Sequence, residues 1–221
     1  MNCLRMRWIL LSFLRNSMQT FYHGSPFLFE SFSLDSLSEG SGIKFGAGIY
    51  LTESYDTAVR YSAPRKMETV HHYVYTLEVP DKTELNCLPY PSPVQAGIVA
   101  KVEQMLQESV PDAAKLQGKL FRKYLAKRLT GTPKERLATE KQIDTKTTLE
   151  GELKASGLLL ESGVLFIEWP QGSWSSYPDG LKNIAVLDPA LIKIVKIEEV
   201  ERVKKGSAYI AASRREVIPG V

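Results

Sequence analysis

Hydrophobic and polar positions change their period twice along the chain. Gln19–His23 reads as a short strand that stops at the turn cluster Gly24-Ser25-Pro26. Ser38–Gly42 is a Gly/Ser loop, and Phe45–Leu51 suits a loop entering a short strand. Thr52 can cap the next segment, with Glu53 and Asp56 in the first turn, so the spacing predicts a helix over Glu53–Ser62. Thr69–Val79 alternates and is the clearest strand. Pro80–Pro93 holds four prolines and no period, which makes it a connection. From Val94 to about Ser162 the pattern turns helical, in segments Val94–Ser109, Asp112–Leu129, Pro133–Ile143 and Thr148–Ser162, broken at Pro111, Gly131 and Thr145. Strands return at Val164–Trp169, Asn183–Leu187 and Ile192–Val200. Strands, a helical block and strands again predict an α+β domain over residues 18–203, with a mainly antiparallel sheet and an insertion at about 94–162. The tail from Lys204 to Val221 is polar.

Composition narrows this picture only modestly. The chain has 221 residues, 43% of them hydrophobic and 24% charged, enough for one well-buried core. A net charge of +3 does not by itself argue for nucleic acid. Cys3 and Cys87 give no disulfide framework, and neither they nor His23, His71 and His72 show metal-site spacing. A reducing, cytoplasmic setting without a metal is expected. Met1–Ser17 stands apart: arginines flank a short apolar run, Trp8–Leu14, too short to span a bilayer. Three readings of it stay open: a start at Met18, an extra N-terminal helix, or a targeting signal.

The chemistry-bearing residues fall in three groups. Phe21-Tyr22-His23-Gly24-Ser25 ends the first strand. Lys44-Phe45-Gly46-Ala47-Gly48-Ile49-Tyr50 comes next, with Tyr61 eleven residues after Tyr50. Lys182-Asn183-Ile184-Ala185-Val186-Leu187-Asp188 lies near the end. Taken singly, each has an ordinary structural explanation: a hydrogen-bonded histidine, glycines of a tight turn, core tyrosines with wet hydroxyls. Gly46-Ala47-Gly48 is not the dinucleotide fingerprint, because the third glycine is missing and a loop precedes it.

Together, in this order and spacing, the groups resemble the poly(ADP-ribose) polymerase-like and diphtheria-toxin-like branch of the ADP-ribosyltransferases. Phage polyvalent-protein and polymorphic-toxin domains of that superfamily are the nearest likeness, over roughly Phe21 to Val200. The resemblance implies split antiparallel sheets with a helical insertion, and NAD as co-substrate. It implies that His23 bonds a ribose hydroxyl of the adenosine half and that Gly24 offers its backbone to the nicotinamide amide. Tyr50 and Tyr61 would sandwich the nicotinamide ring. Gly46 and Gly48 would let the loop pass close to the dinucleotide, and Ser25 would add a hydroxyl. Glycosidic cleavage through an oxocarbenium-like transition state needs that binding, plus stabilisation of positive charge. The sequence departs from the family where many members carry a glutamate: Asn183 stands there, an amide that hydrogen-bonds but brings no charge. Ala58 replaces a serine of the polymerase type. Glu168 is the other acid that can be proposed.

The expected activity is therefore transfer of a single ADP-ribose to a macromolecular acceptor by a toxin, effector or defence protein, acting in the cytoplasm or delivered into a target cell. The rivals are an inactive NAD or ADP-ribose binding module and an RNA 2′-phosphotransferase, whose second histidine motif is not visible. Lys115, Lys119, Lys123 and Lys127 recur at helical spacing beside Arg122 and Arg128, and only Glu135 offsets the positive run from Lys115 to Arg136. That run is either a solvated helix face or a surface for an acidic partner such as nucleic-acid phosphates, the acceptor being protein or nucleic acid. A toxin of this class would also imply an antitoxin or immunity partner.

Overall fold

The computed structural model describes residues 17–38, 43–63, 71–112, 115–171 and 180–218. Among them are eight strands and five α-helices. In chain order these are β1 (Met18–Ser25), β2 (Ile49–Thr52), α1 (Tyr55–Tyr61), β3 (Tyr73–Pro80), β4 (Cys87–Pro89), α2 (Ala96–Leu106), α3 (Gly118–Arg128) and α4 (Glu140–Ile143). α5 (Leu149–Glu161), β5 (Phe166–Pro170), β6 (Lys182–Val186), β7 (Lys193–Lys205) and β8 (Ala208–Glu216) complete them. The chain divides into two compact units. One comprises Met1–Ser31, Thr52–Lys82 and Ala190–Val221; the other Phe32–Leu51 and Thr83–Pro189.

In the first unit the strands run in the order β1-β3-β7-β8, all antiparallel. β1 lies on β3 from Met18↔Pro80 to Ser25↔Tyr73. Val74, Tyr75, Leu77 and Val79 of β3 are all buried, so this strand is covered on both faces. α1 forms because Ser54 caps it, its hydroxyl accepting the Thr57 N–H, with Asp56 in the first turn and Arg60 in the last. The cap is thus Ser54 rather than the expected Thr52. Ala58 and Val59 on α1 pack with Val74 and Val200, flanked by Tyr22 and Tyr55. The first half of the segment expected as one strand over Thr69–Val79 lies partly outside the described residues. Residues 204–216, expected as a polar tail, continue β7 and return as β8 through a turn at Gly206 (φ 63°). Their polarity is that of an edge strand, exposed along most of its length.

In the second unit the order is β4-β5-β6-β2. β5 and β6 are antiparallel, while β4 runs parallel to β5, which makes the strand pairing mixed. The prolines around β4 keep it to three residues. Helices α2 to α5 all fall between β4 and β5, within the stretch whose period predicts helices. Their apolar stripes close a core built on Leu88, Ile98, Phe121, Leu125, Leu159 and Ile167. Among the described residues no helix is long and apolar enough to cross a membrane. Met1–Asn16 lies outside the described residues, and with it the separate N-terminal segment.

Candidate functional site

His23, Gly24, Ser25 and Tyr61 belong to the first unit; Gly46, Gly48, Tyr50 and Asn183 belong to the second. In the first, His23 sits opposite Tyr75 on β3, and its ring meets the Tyr75 and Phe29 rings edge-on at 6.2 Å. Phe29 stacks on Tyr75 at 4.4 Å. The buried Tyr75 hydroxyl accepts from the Phe29 N–H at 2.8 Å and donates to the Phe27 carbonyl at 3.1 Å. Burial pushes that hydroxyl up to about 12, so it stays protonated and pins the loop after β1 around the imidazole. Ser25 is buried, and its Oγ accepts the Phe27 N–H at 3.0 Å, making it a turn former.

Gly24 has a reason to be glycine that is independent of any ligand. A Cβ there would lie 1.8 Å from the Ala58 carbonyl oxygen and 2.7 Å from the Ser62 nitrogen. The end of β1 therefore rests directly on the backbone of α1. Tyr61 closes that helix and is 59% exposed, an aromatic face available for stacking.

In the second unit the turn before β2 is held from several sides. Gly46 has φ +111°, a conformation side chains rarely adopt, and a Cβ there would press on Ile167 at 2.6 Å. Tyr50 folds back over this turn: its hydroxyl accepts the Phe45 N–H at 2.8 Å and donates to the Gly46 carbonyl at 3.0 Å. Burial raises its pKa well above the ordinary tyrosine value, against the Phe45 hydrogen bond and the Arg122 charge that lower it. The hydroxyl is thus a fixed dipole, with no proton to exchange near neutral pH. Phe45 stacks on Trp169 at 4.2 Å with planes 3° apart, and Tyr50 meets Trp169 edge-on at 5.0 Å. Asn183 is paired in register with Trp169, so the two share a face of the sheet. Gly48 passes against Ala185 and Val186 of the same β6. The structure therefore brings Tyr50 and Asn183 to Trp169, with Gly46 against Ile167 of the same β5 and Gly48 against Ala185 and Val186 of β6. Glu168 points to the opposite face, 6% exposed, with the Lys182 ammonium at 3.3 Å.

Residues outside the three motif groups hold this turn in place. Tyr90 donates its hydroxyl to the Lys44 carbonyl at 3.1 Å, and Ser156 on α5 donates to the Ala47 carbonyl at 2.7 Å. Arg122 lies beneath Gly46, donates to the Tyr90 hydroxyl at 2.9 Å and forms an ion pair with Glu152. Both members of that pair are essentially inaccessible, at 1% and 0% of side-chain exposure. Thr147 donates to the second Glu152 oxygen. In the sequence Arg122 stands out only as a member of the positive run from Lys115 to Arg136.

The positive run on α3 also has partners outside itself. Lys119 and Lys123 share Asp144 at 2.6 Å each, and Arg128 pairs with Glu108 at 2.7 Å. The Lys127 ammonium is 2.9 Å from the Gln142 carbonyl and 2.6 Å from that of Ile143, at the end of α4. Arg122 is buried rather than part of a solvated face.

Compared with protein-family models, with curated proteins and with solved structures, the chain matches none.

Proposed function

We propose that this chain is a mono-ADP-ribosyltransferase of ADP-ribosyltransferase-like fold, which cleaves NAD at the nicotinamide bond and passes ADP-ribose to a macromolecular acceptor. The observation that carries this reading is the ordered set of motifs: His23-Gly24-Ser25, Gly46-Ala47-Gly48-Ile49-Tyr50 with Tyr61 eleven residues on, and Asn183 on a late strand. Several local features support it. His23 is held by Tyr75 and Phe29 at a strand end, Tyr61 is exposed, and a half-buried Asn183 shares a sheet face with Trp169 and the Tyr50 turn.

In this reading His23 and Gly24 bind and orient NAD, and Tyr50 and Tyr61 offer aromatic faces to the nicotinamide. Tyr50 contributes shape and no proton, since both sides of its hydroxyl are engaged in the turn. The Asn183 amide bonds the ribose hydroxyl next to the scissile bond. It supplies a dipole where a carboxylate would supply charge, which suits one slow transfer rather than polymer growth. The protein belongs with toxins, effectors or defence factors that act on cytoplasmic targets, and a cognate inhibitor protein would accompany it. The acceptor is protein or nucleic acid.

The amide at Asn183 also favours a second reading, a module that binds NAD or ADP-ribose without turnover. Incubating the full chain with adenylate-labelled NAD and total cell lysate separates the two. Nicotinamide release with label transferred to protease- or RNase-sensitive material supports the enzyme and names its acceptor class. Binding without release supports the module, and the absence of both sinks each reading.

A further inference from the structure

We propose that the helical block of the second unit carries a binding site for a phosphate monoester, gripped by Arg136 and Lys146. A cavity of about 350 Å³ opens where the end of α3 meets the segment between α4 and α5. That volume sits at the small end of ligand pockets, enough for a phosphate with a modest substituent. Arg136, Lys146 and Lys127 line it, together with Thr130, Thr132 and Thr148, and no carboxylate is among its lining residues.

The donors are divided in a way that leaves several for a guest. Lys127 spends its ammonium on the Gln142 and Ile143 carbonyls and on Thr145, so it contributes charge from behind. Thr130 donates back to the Ala126 carbonyl. Thr148 accepts the Gly151 N–H as the cap of α5, which keeps its own proton available. The Arg136 and Lys146 side chains and the Thr132 hydroxyl have no hydrogen-bonding or ionic partner among the described residues. Two unpaired cations over hydroxyl donors, backed by a third cation, match an anion with more than one oxygen and more than one charge. The absence of acids from the lining excludes an amine or a divalent cation. No aromatic residue lines the cavity either, so a nucleobase finds nothing to stack on. Recognition is through the phosphoryl group, free or carried by a small molecule. The proposal is independent of the NAD reading, because none of the motif residues lines this cavity.

The test is thermal unfolding of the full chain in inorganic phosphate, AMP or adenosine, against sodium chloride of equal ionic strength. Equilibrium dialysis with radiolabelled phosphate runs in parallel. Phosphate or AMP should raise the midpoint by roughly 2–4 °C at about five times Kd, and adenosine should not. A shift with AMP that phosphate does not reproduce, lost in the double variant below, assigns the site to a phosphoryl group carried on a small molecule; equal shifts assign it to the free anion. Arg136→Gln/Lys146→Gln, both at exposed positions, should leave the unliganded midpoint unchanged and abolish both the shift and the dialysis signal. His23→Ala should keep them. A shift that survives the double variant overturns the proposal. So does no effect of phosphate and AMP on the parent.

Discussion

Replacing Arg122 with methionine would leave the Glu152 carboxylate in the core of the second unit with Thr147 as its remaining partner. A buried ion loses water and regains that cost only from its partner, so removing one member of such a pair costs about 3–5 kcal/mol. The Tyr90 hydroxyl would lose an incoming hydrogen bond but keep the Lys44 carbonyl, adding on the order of 1 kcal/mol. Against a net stability of roughly 5–15 kcal/mol this is a large fraction of the whole. For a chain of this size it corresponds to a midpoint lower by about 8–24 °C. Arg122→Met/Glu152→Leu removes both charges together with the Arg122 Nε, a buried donor with no partner, and should return stability to within about 1–2 kcal/mol of the parent. Urea unfolding of the four proteins of this double-mutant cycle gives the coupling energy directly. A single variant that loses less than about 1 kcal/mol, or a double that loses the sum of the singles, would show that the pair is not buried as described.

Gly24→Ala should lower stability by about 1–3 kcal/mol or more, read as a urea midpoint, because its Cβ meets the Ala58 carbonyl; an unchanged midpoint would mean that β1 does not rest on α1. Tyr50→Phe removes a hydroxyl that both accepts and donates within the turn, and should cost about 1–3 kcal/mol by the same assay. A neutral result would indicate that the hydroxyl faces solvent. The Arg128 hydrogen bond holds the Glu108 carboxyl below the usual carboxylate range, outweighing the opposing effect of burial. A depressed folded-state pKa gives stability that is present above the ordinary carboxylate range and lost as pH falls through the folded value. Glu108→Gln should therefore flatten the acid limb of the stability–pH curve and leave its slope above pH 7 unchanged; a change confined to the alkaline side would contradict the assignment.

Periodicity carried the element map because burial in both units tracks it. α3 and α5 turn apolar stripes inward, whereas β3, predicted from its alternation, is covered on both faces. What single positions do was harder to read. Gly24 looked like a ligand-facing glycine, and its constraint is a helix backbone brought close by tertiary packing. Arg122 looked like part of a cationic surface, yet its partner Glu152 is thirty residues away and no local rule joins them. The same holds for Tyr90 and Ser156, whose acceptors are backbone carbonyls of a distant turn. Backbone acceptors carry no side-chain signature, so contacts of this kind leave no trace in a sequence pattern. Trp169 was read as the end of a strand, and its stacking on Phe45 joins segments far apart in the chain.

Nicotinamide release from NAD by the parent, Asn183→Ala and Asn183→Glu tests the central claim most directly. If the Asn183 amide bonds the ribose hydroxyl in the transition state, alanine should leave NAD affinity nearly unchanged and slow release by about 2–4 kcal/mol of barrier. Glutamate should match or exceed the parent, since it adds negative charge beside the developing cation. Equal release by parent and alanine variant, or no release by all three under conditions where NAD binds, would contradict the account.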